Sequence, residues 1–212
     1  MGQRTTFREL STEAKVQFIW DYYRWRILVV ILLLAAIIHT VYVKTTEVIP
    51  VLNLAVIKTE AQLEGEEIDF SSFLNENGYT EPVYVYRNLT LTGDLGTSYQ
   101  SMQILHTFSM AGEIDVFLWT EDTICQYFTG GITADVFDIL SPEAAENEDF
   151  SVFYAEGSSP EESYPCYIRI ENNAWALENL GASECYIAFS CNPLNPEPAT
   201  KFIDYLLSFT QG

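Results

Sequence analysis

The chain has 212 residues, 48% of them hydrophobic and 14% aromatic, with 10 Lys and Arg against 30 Asp and Glu for a net charge of −20. That much apolar content excludes a chain disordered throughout. So strong a negative charge argues against nucleic acid as a partner, because the phosphates would be repelled.

The charge is unevenly spread. Residues 1–26 carry Arg4, Arg8, Lys15, Arg24 and Arg26 against Glu9, Glu13 and Asp21, a net of +2. Residues 44–212 carry 5 bases and 27 acids. Between the two parts, Ile27 to Val43 form a run of 17 mostly apolar residues closed by Arg26 and Lys44. As a helix the run rises roughly 25 Å, at the short end of what a hydrocarbon core of about 30 Å requires. Trp20, Tyr22, Tyr23 and Trp25 on one side and Tyr42 on the other suit the headgroup layer, where Arg24, Arg26 and Lys44 can snorkel.

Ser11 or Thr12 caps a helix expected over 12–43, whose first part (1–26 with the tail) lies at the inner interface. The positive-inside bias puts this tail in the cytoplasm and residues 44–212 outside the cell membrane. A cleavable signal peptide is the rival reading. It requires a shorter basic segment and small residues at a cleavage site, which HTVYVKTT does not provide. His39 and Thr40 are polar but close to the far end, where a neutral imidazole needs no special role.

After a linker over 44–50, residues 51–210 suffice for one domain. VLNLAVI (51–57) reads as a strand buried on both faces. EGEEIDFSSFLNENG reads as a helix stopped by Gly78, and PVYVYRNLTL (82–91) as a second strand. Tyr99, Met102, Leu105 and Phe108 mark a helix over 96–111, IDVFLW (114–119) a third strand, and Thr120 the cap of a short helix. The acidic stretch 141–163 holds 7 acids and no base. It reads as a hydrated loop, and its spacing does not fit a calcium loop. PCYIRI, ECYIAFSC and a last helix capped by Asn195 with Pro196 at its first position follow. Three strand–helix repeats predict an α/β fold, with a mixed, mostly parallel sheet between helical layers.

Ligands of open α/β sheets sit beyond the carboxyl ends of the strands. The candidates there are Lys58, Thr59 and Glu60, Arg87 and Asn88, and Trp119, Thr120, Glu121 and Asp122. Lys58 and Arg87 could hold an anion between them if their strands are neighbours, or could simply pair with the abundant acids. Of Cys125, Cys166, Cys185 and Cys191, a disulfide from Cys166 to Cys185 or Cys191 is the expected pairing, with free buried thiols as the other reading. Cys185 and Cys191 share one strand and stand too far apart to bond each other. No CxxC occurs, so neither a metal nor a redox motif is indicated. His106 is the one histidine outside the membrane run, and no GxSxG or P-loop occurs. The expectation is therefore a non-enzymatic protein without cofactor. Asn88-Leu89-Thr90 fits a glycosylation sequon, a motif short enough to recur by chance.

VLNLAVI, YQSMQILHTFSMAGEIDVFLWTED, GGITADVFDIL and YPCYIRI…CYIAFSCNPLNPEPATKFIDYLLS together resemble bacterial extracellular solute-binding proteins. Ala111-Gly112-Glu113-Ile114-Asp115-Val116 and Asn192 to Leu207 carry the likeness most closely. WDYYRWRI resembles the membrane entry of single-span envelope proteins of Gram-positive (Firmicutes-type) bacteria. The resemblance implies a single lobe of periplasmic-binding-protein type II-like fold. One lobe cannot close on a ligand by hinge motion. The implied role is an accessory or interaction subunit beside a transporter or another membrane protein, with a tethered small-solute binding module as the alternative.

Overall fold

The computed structural model of the protein describes residues 11–46, 48–58, 68–91, 95–128, 131–141, 144, 150–154 and 164–210. The chain divides into two units, one ending at Val48 and the other beginning at Ile49. Each is taken by itself.

Among the described residues the first unit has one helix, α1, Thr12–Thr46. Lys15 N–H donates to the Ser11 carbonyl at 2.9 Å, and Ala14 N–H reaches the Ser11 hydroxyl at 3.3 Å. Ser11, one of the two expected caps, therefore closes the first turn. Tyr23–Thr45 has a mean hydropathy of 2.5 and none of it is buried, so by length and composition it can cross a membrane. Leu32, Leu33 and Ile38 are 60%, 59% and 67% exposed. At the basic end the Arg26 guanidinium lies 5.6 Å from the Tyr23 ring and that of Arg24 6.0 Å from the Trp25 ring, both within cation–π range.

In the second unit six strands form one sheet in the order β2-β1-β3-β6-β5-β4. They are β1 (Leu52–Lys58), β2 (Val83–Thr90), β3 (Val116–Trp119), β4 (Phe150–Tyr154), β5 (Pro165–Ile170) and β6 (Cys185–Phe189). Among the described residues four helices of several residues accompany them: α2 (Ser71–Asn77), α3 (Leu95–Ala111), α4 (Ala174–Leu180) and α5 (Pro196–Leu207). 3-10 segments run over Asp122–Phe128, about two turns, and Val136–Asp138, one turn.

The α/β class and the mixed sheet agree with the sequence expectation, but the sheet is not mostly parallel. β1 pairs in parallel with β2 and β3, whereas β3–β6, β6–β5 and β5–β4 are antiparallel. β1 and β2, which bracket α2, and β2 and β3, which bracket the 17-residue α3, run the same way, whereas β5 and β6, which bracket the 7-residue α4, run in opposite directions. β4 is a second departure, because it forms an edge strand inside the acidic stretch expected to be a loop. Apart from Ser141, Ala144 and β4, that stretch lies outside the described residues.

The central strands are apolar at successive positions because both faces are covered. On one face Leu52, Leu54, Val116, Leu118 and Ile187 pack against Phe73 of α2, Trp175 of α4 and Phe202 and Leu206 of α5. On the other, Ala55, Ile57, Phe117, Trp119 and Tyr186 pack against Leu105 of α3 and Ile124 and Phe128 of the 3-10 segment. These two cores make three layers.

Candidate functional site

The carboxyl end of β3 is closed by packing. Alternation along β3 sends Phe117 and Trp119 into the α3-side core and Val116 and Leu118 into the other. Trp119, expected at a ligand rim, is instead 0% exposed. Its indole stacks on Phe128 at 4.2 Å and on Tyr186 at 5.7 Å, and meets Tyr167 edge-on at 5.6 Å. Its ring N–H donates to Cys125 Sγ at 3.4 Å. Every face of the ring is thus occupied by the protein's own side chains.

The other candidates do not converge around it. Lys58 is half-buried and pairs with Thr90 across the β1–β2 ladder, not with Arg87. The ladder passes from Ala55↔Tyr86 to Ile57↔Leu89, so Arg87 and Asn88 together face Val56 in a bulge. β1 and β2 are neighbours, as an anion site shared by Lys58 and Arg87 would require, but the two bases are out of register. Thr120 and Glu121 are half-buried at the entry to the 3-10 segment, where Ile124 N–H bonds the Glu121 carbonyl at 3.0 Å. The short helix expected after Thr120 is present as the 3-10 helix Asp122–Phe128. Thr59 and Glu60 lie outside the described residues, as does the side chain of Asn88. His106 is exposed on α3.

Beside Trp119 a polar network rims the same end of the sheet. Glu184 accepts Arg169 Nη2 at 3.1 Å on one carboxyl oxygen and sits 3.0 Å from Arg169 Nε with the other. Arg169 also pairs with Glu171 at 2.8 Å. The Tyr186 hydroxyl donates to Glu184 and lies 3.4 Å from Asp122. Burial, the Glu184 hydrogen bond and nearby negative charge hold this phenol above its ordinary range. Tyr167 is pushed up too, chiefly by burial and then by Cys125. Both hydroxyls are therefore kept protonated as donors within a packed wall.

The opposite end of the sheet holds a cluster that the sequence reading did not single out as a site. Asp115 is 0% exposed just before β3. Its Oδ2 accepts Asn53 N–H at 2.8 Å, Asn53 Nδ2 at 3.2 Å and Asn195 Nδ2 at 3.2 Å, while Oδ1 accepts Asn195 N–H at 2.8 Å. Its backbone bonds Asn53 O and Ser190 N, each at 2.9 Å. One side chain thereby ties β1, β3 and the entry to α5. Asn195 is the helix cap by position, but its side chain makes no capping bond and serves Asp115 instead. The legible signal was an Asp within the apolar run EIDVFLW, since a carboxyl buried there must be satisfied.

All four cysteines are free, and the disulfide expected from Cys166 to Cys185 or Cys191 is absent. Cys166 lies in the α3-side core and Cys185 in the other, so the sheet stands between them. Cys191 follows β6 beside Ser109, 3.3 Å from its hydroxyl. Burial pushes the Cys166 thiol up to about 11 and Cys185 up to about 12, which leaves both thiols protonated and inert at neutral pH. Among the described residues no group of three or more His, Cys, Asp or Glu side chains is placed to hold a metal ion. Trp20, Arg24, Trp25, Leu28 and Leu32 lie along one side of α1.

No family model, curated protein or solved structure matches the chain.

Proposed function

We propose that the protein is a single-pass membrane protein whose α1 anchors an extracytoplasmic α/β domain. In this reading it serves without catalysis as an accessory or interaction subunit of an envelope complex. The observation that carries the proposal is α1, where a 23-residue stretch of high hydropathy has none of its surface buried by the protein. At roughly 1.5–3 kcal/mol for each large apolar side chain, water is an untenable environment for that surface, and lipid or a partner helix must cover it. Five Lys and Arg before the span, against Lys44 and Lys58 in the stretch that follows it, support an outward orientation of the domain.

The choice of an interaction role over solute capture rests on Trp119. The side chain best suited to line a ligand rim is consumed in the core, and Lys58 and Arg87 are out of register. Helices on both faces of a mixed sheet support a relation to a single solute-binding lobe at the level of fold class. A lobe of that kind beside a transporter or similar membrane protein fits a module that retains the fold without the trap.

The test is affinity purification of the full chain from gently solubilised membranes. It is run beside a version whose residues 12–46 are exchanged for an unrelated single span. The proposal expects a second membrane protein to co-elute with the native chain and to be depleted with the exchanged span. A chain that elutes alone in both cases, or with only a small solute bound, would overturn it.

A further inference from the structure

The two ends of the span in α1 differ in charge and in rings. Tyr23–Thr45 opens on Tyr23-Arg24-Trp25-Arg26, whereas Lys44 is the one base near its close. Both arginines are exposed, and so are Trp20 and Trp25, at 63% and 70%. Each guanidinium lies within cation–π range of a ring, Arg26 of Tyr23 and Arg24 of Trp25. Such a contact steadies the guanidinium against an aromatic surface while its N–H edge still faces outward to an oxyanion. Among the described residues no carboxylate pairs with either arginine. Asp21, the nearest acid in sequence, lies about 4.5 Å below Arg24 and about 7.5 Å below Arg26 along the axis, toward the tail. The next acid after it is Glu47.

We propose that Arg24 and Arg26 hold the headgroup phosphates of anionic phospholipids of the inner leaflet, with the acyl chains lying along α1 beyond them. The inference rests on the reading of α1 as a membrane span. Spacing carries it from charge to lipid. Trp20, Arg24, Leu28 and Leu32 recur every four residues on one side of the helix, and Leu32 stands about 12 Å along the axis from Arg24. Arg26 heads a second strip with Tyr23 and Val30. Each arginine therefore tops an apolar strip, so that a phosphate at guanidinium depth brings its own chain against that strip. The planar fork suits two phosphate oxygens, and the flanking rings suit the headgroup layer. A soluble phosphate matches the fork but leaves the strip uncovered. A zwitterionic phospholipid covers the strip, yet its own cation competes with the arginine for the phosphate. An anionic phospholipid satisfies both parts.

The test reconstitutes the full chain in phosphatidylcholine vesicles that contain a fixed fraction of brominated phosphatidylglycerol or, in parallel, of brominated phosphatidylcholine. Bromine near the top of an acyl chain quenches an indole that it touches. Of the four tryptophans, Trp119 and Trp175 are 0% and 3% exposed, so the quenched emission reports Trp20 and Trp25. The expected result is deeper quenching by the phosphatidylglycerol than by the phosphatidylcholine. Arg24→Gln and Arg26→Gln should each lower that preference by up to about fivefold, and the double variant should abolish it. Lys44→Gln, at the far end of the span, should leave it unchanged. The proposal is overturned if the two lipids quench alike in the parent chain, if the preference survives in the double variant, or if Lys44→Gln lowers it as much as an arginine variant does. Equal quenching by both lipids removes the headgroup site and leaves the span standing, whereas quenching by neither removes the span and the site with it.

Discussion

Replacing Asp115 perturbs the point where three segments of the domain meet. In Asp115→Asn the amide oxygen can occupy the Oδ2 position and keep both Asn53 bonds and the Asn195 Nδ2 bond. The new NH2 then faces Asn195 N–H, a donor against a donor, where a 2.8 Å bond was lost. One unsatisfied backbone donor costs about 1–3 kcal/mol. Asp115→Ala removes all four acceptor contacts and strands the N–H of Asn53, which is 6% exposed, for an expected loss of about 3–5 kcal/mol. In a domain of this size 1 kcal/mol moves the midpoint by about 2–4 °C, so the melting temperature should fall by roughly 5 °C for the Asn variant and by 10 °C or more for Ala. Thermal melts of the full chain in micelles, followed by near-ultraviolet circular dichroism, give the comparison. The reasoning is refuted if the Ala variant melts within a degree or two of the parent, or if Asn is as damaging as Ala.

Gly112 has φ +75°, and a Cβ there would meet the Asn192 carbonyl at 3.3 Å. Gly112→Ala should therefore lower stability by about 1–2 kcal/mol in a denaturant titration, and an unchanged midpoint would count against the close approach. Phe128→Ala removes the ring stacked 4.2 Å from Trp119 and opens a cavity, with an expected loss of about 3–5 kcal/mol and a red-shifted tryptophan emission. Burial raises Cys166 to about 11 and Cys185 to about 12 from the ordinary 9.0, so above pH 9 the reduced unfolded chain releases protons that the folded one still holds. Stability under reducing conditions should hold below that pH and decline from about 9 toward 11–12, with a shallower decline in Cys185→Val. Equal slopes in parent and variant would contradict the assignment. The carboxyl of Asp69 is lowered by the Ser71 backbone N–H and then by its hydroxyl. Its contribution to the start of α2 is present above the ordinary carboxylate value and lost as pH falls through the lower folded one. An NMR titration of Asp69 that follows the ordinary curve would refute the two Ser71 bonds.

Much of the fold is legible from patterning. The continuous apolar runs at 51–57 and 116–119 mark strands covered on both faces, and the spacing of Tyr99, Met102, Leu105 and Phe108 marks α3. Strand direction after β3 is not legible, because α2 and α4 are equally short yet lie between a parallel pair and an antiparallel pair. The fate of Trp119 is hidden for a related reason. The rule that ligands gather at carboxyl strand ends presumes that those ends open to solvent, whereas Phe128, Tyr167 and Tyr186 come from three other segments to close this one. The cysteines fail on parity: strand spacing alone gives no hint that Cys166 and Cys185 fall on opposite faces. Asp115 lies in plain view in EIDVFLW, but its partners Asn53 and Asn195 are distant in sequence, so its role emerges only from the tertiary contacts.

The proposed topology has α1 spanning the bilayer intact with the acidic domain outside. An impermeant protease applied to intact cells tests it, with one epitope tag at each end of the full chain. The account predicts that the C-terminal tag is lost while the N-terminal tag persists on a protected membrane fragment that includes residues 12–46. Protection of both tags, or a released domain that never carried the N-terminal tag, would contradict it.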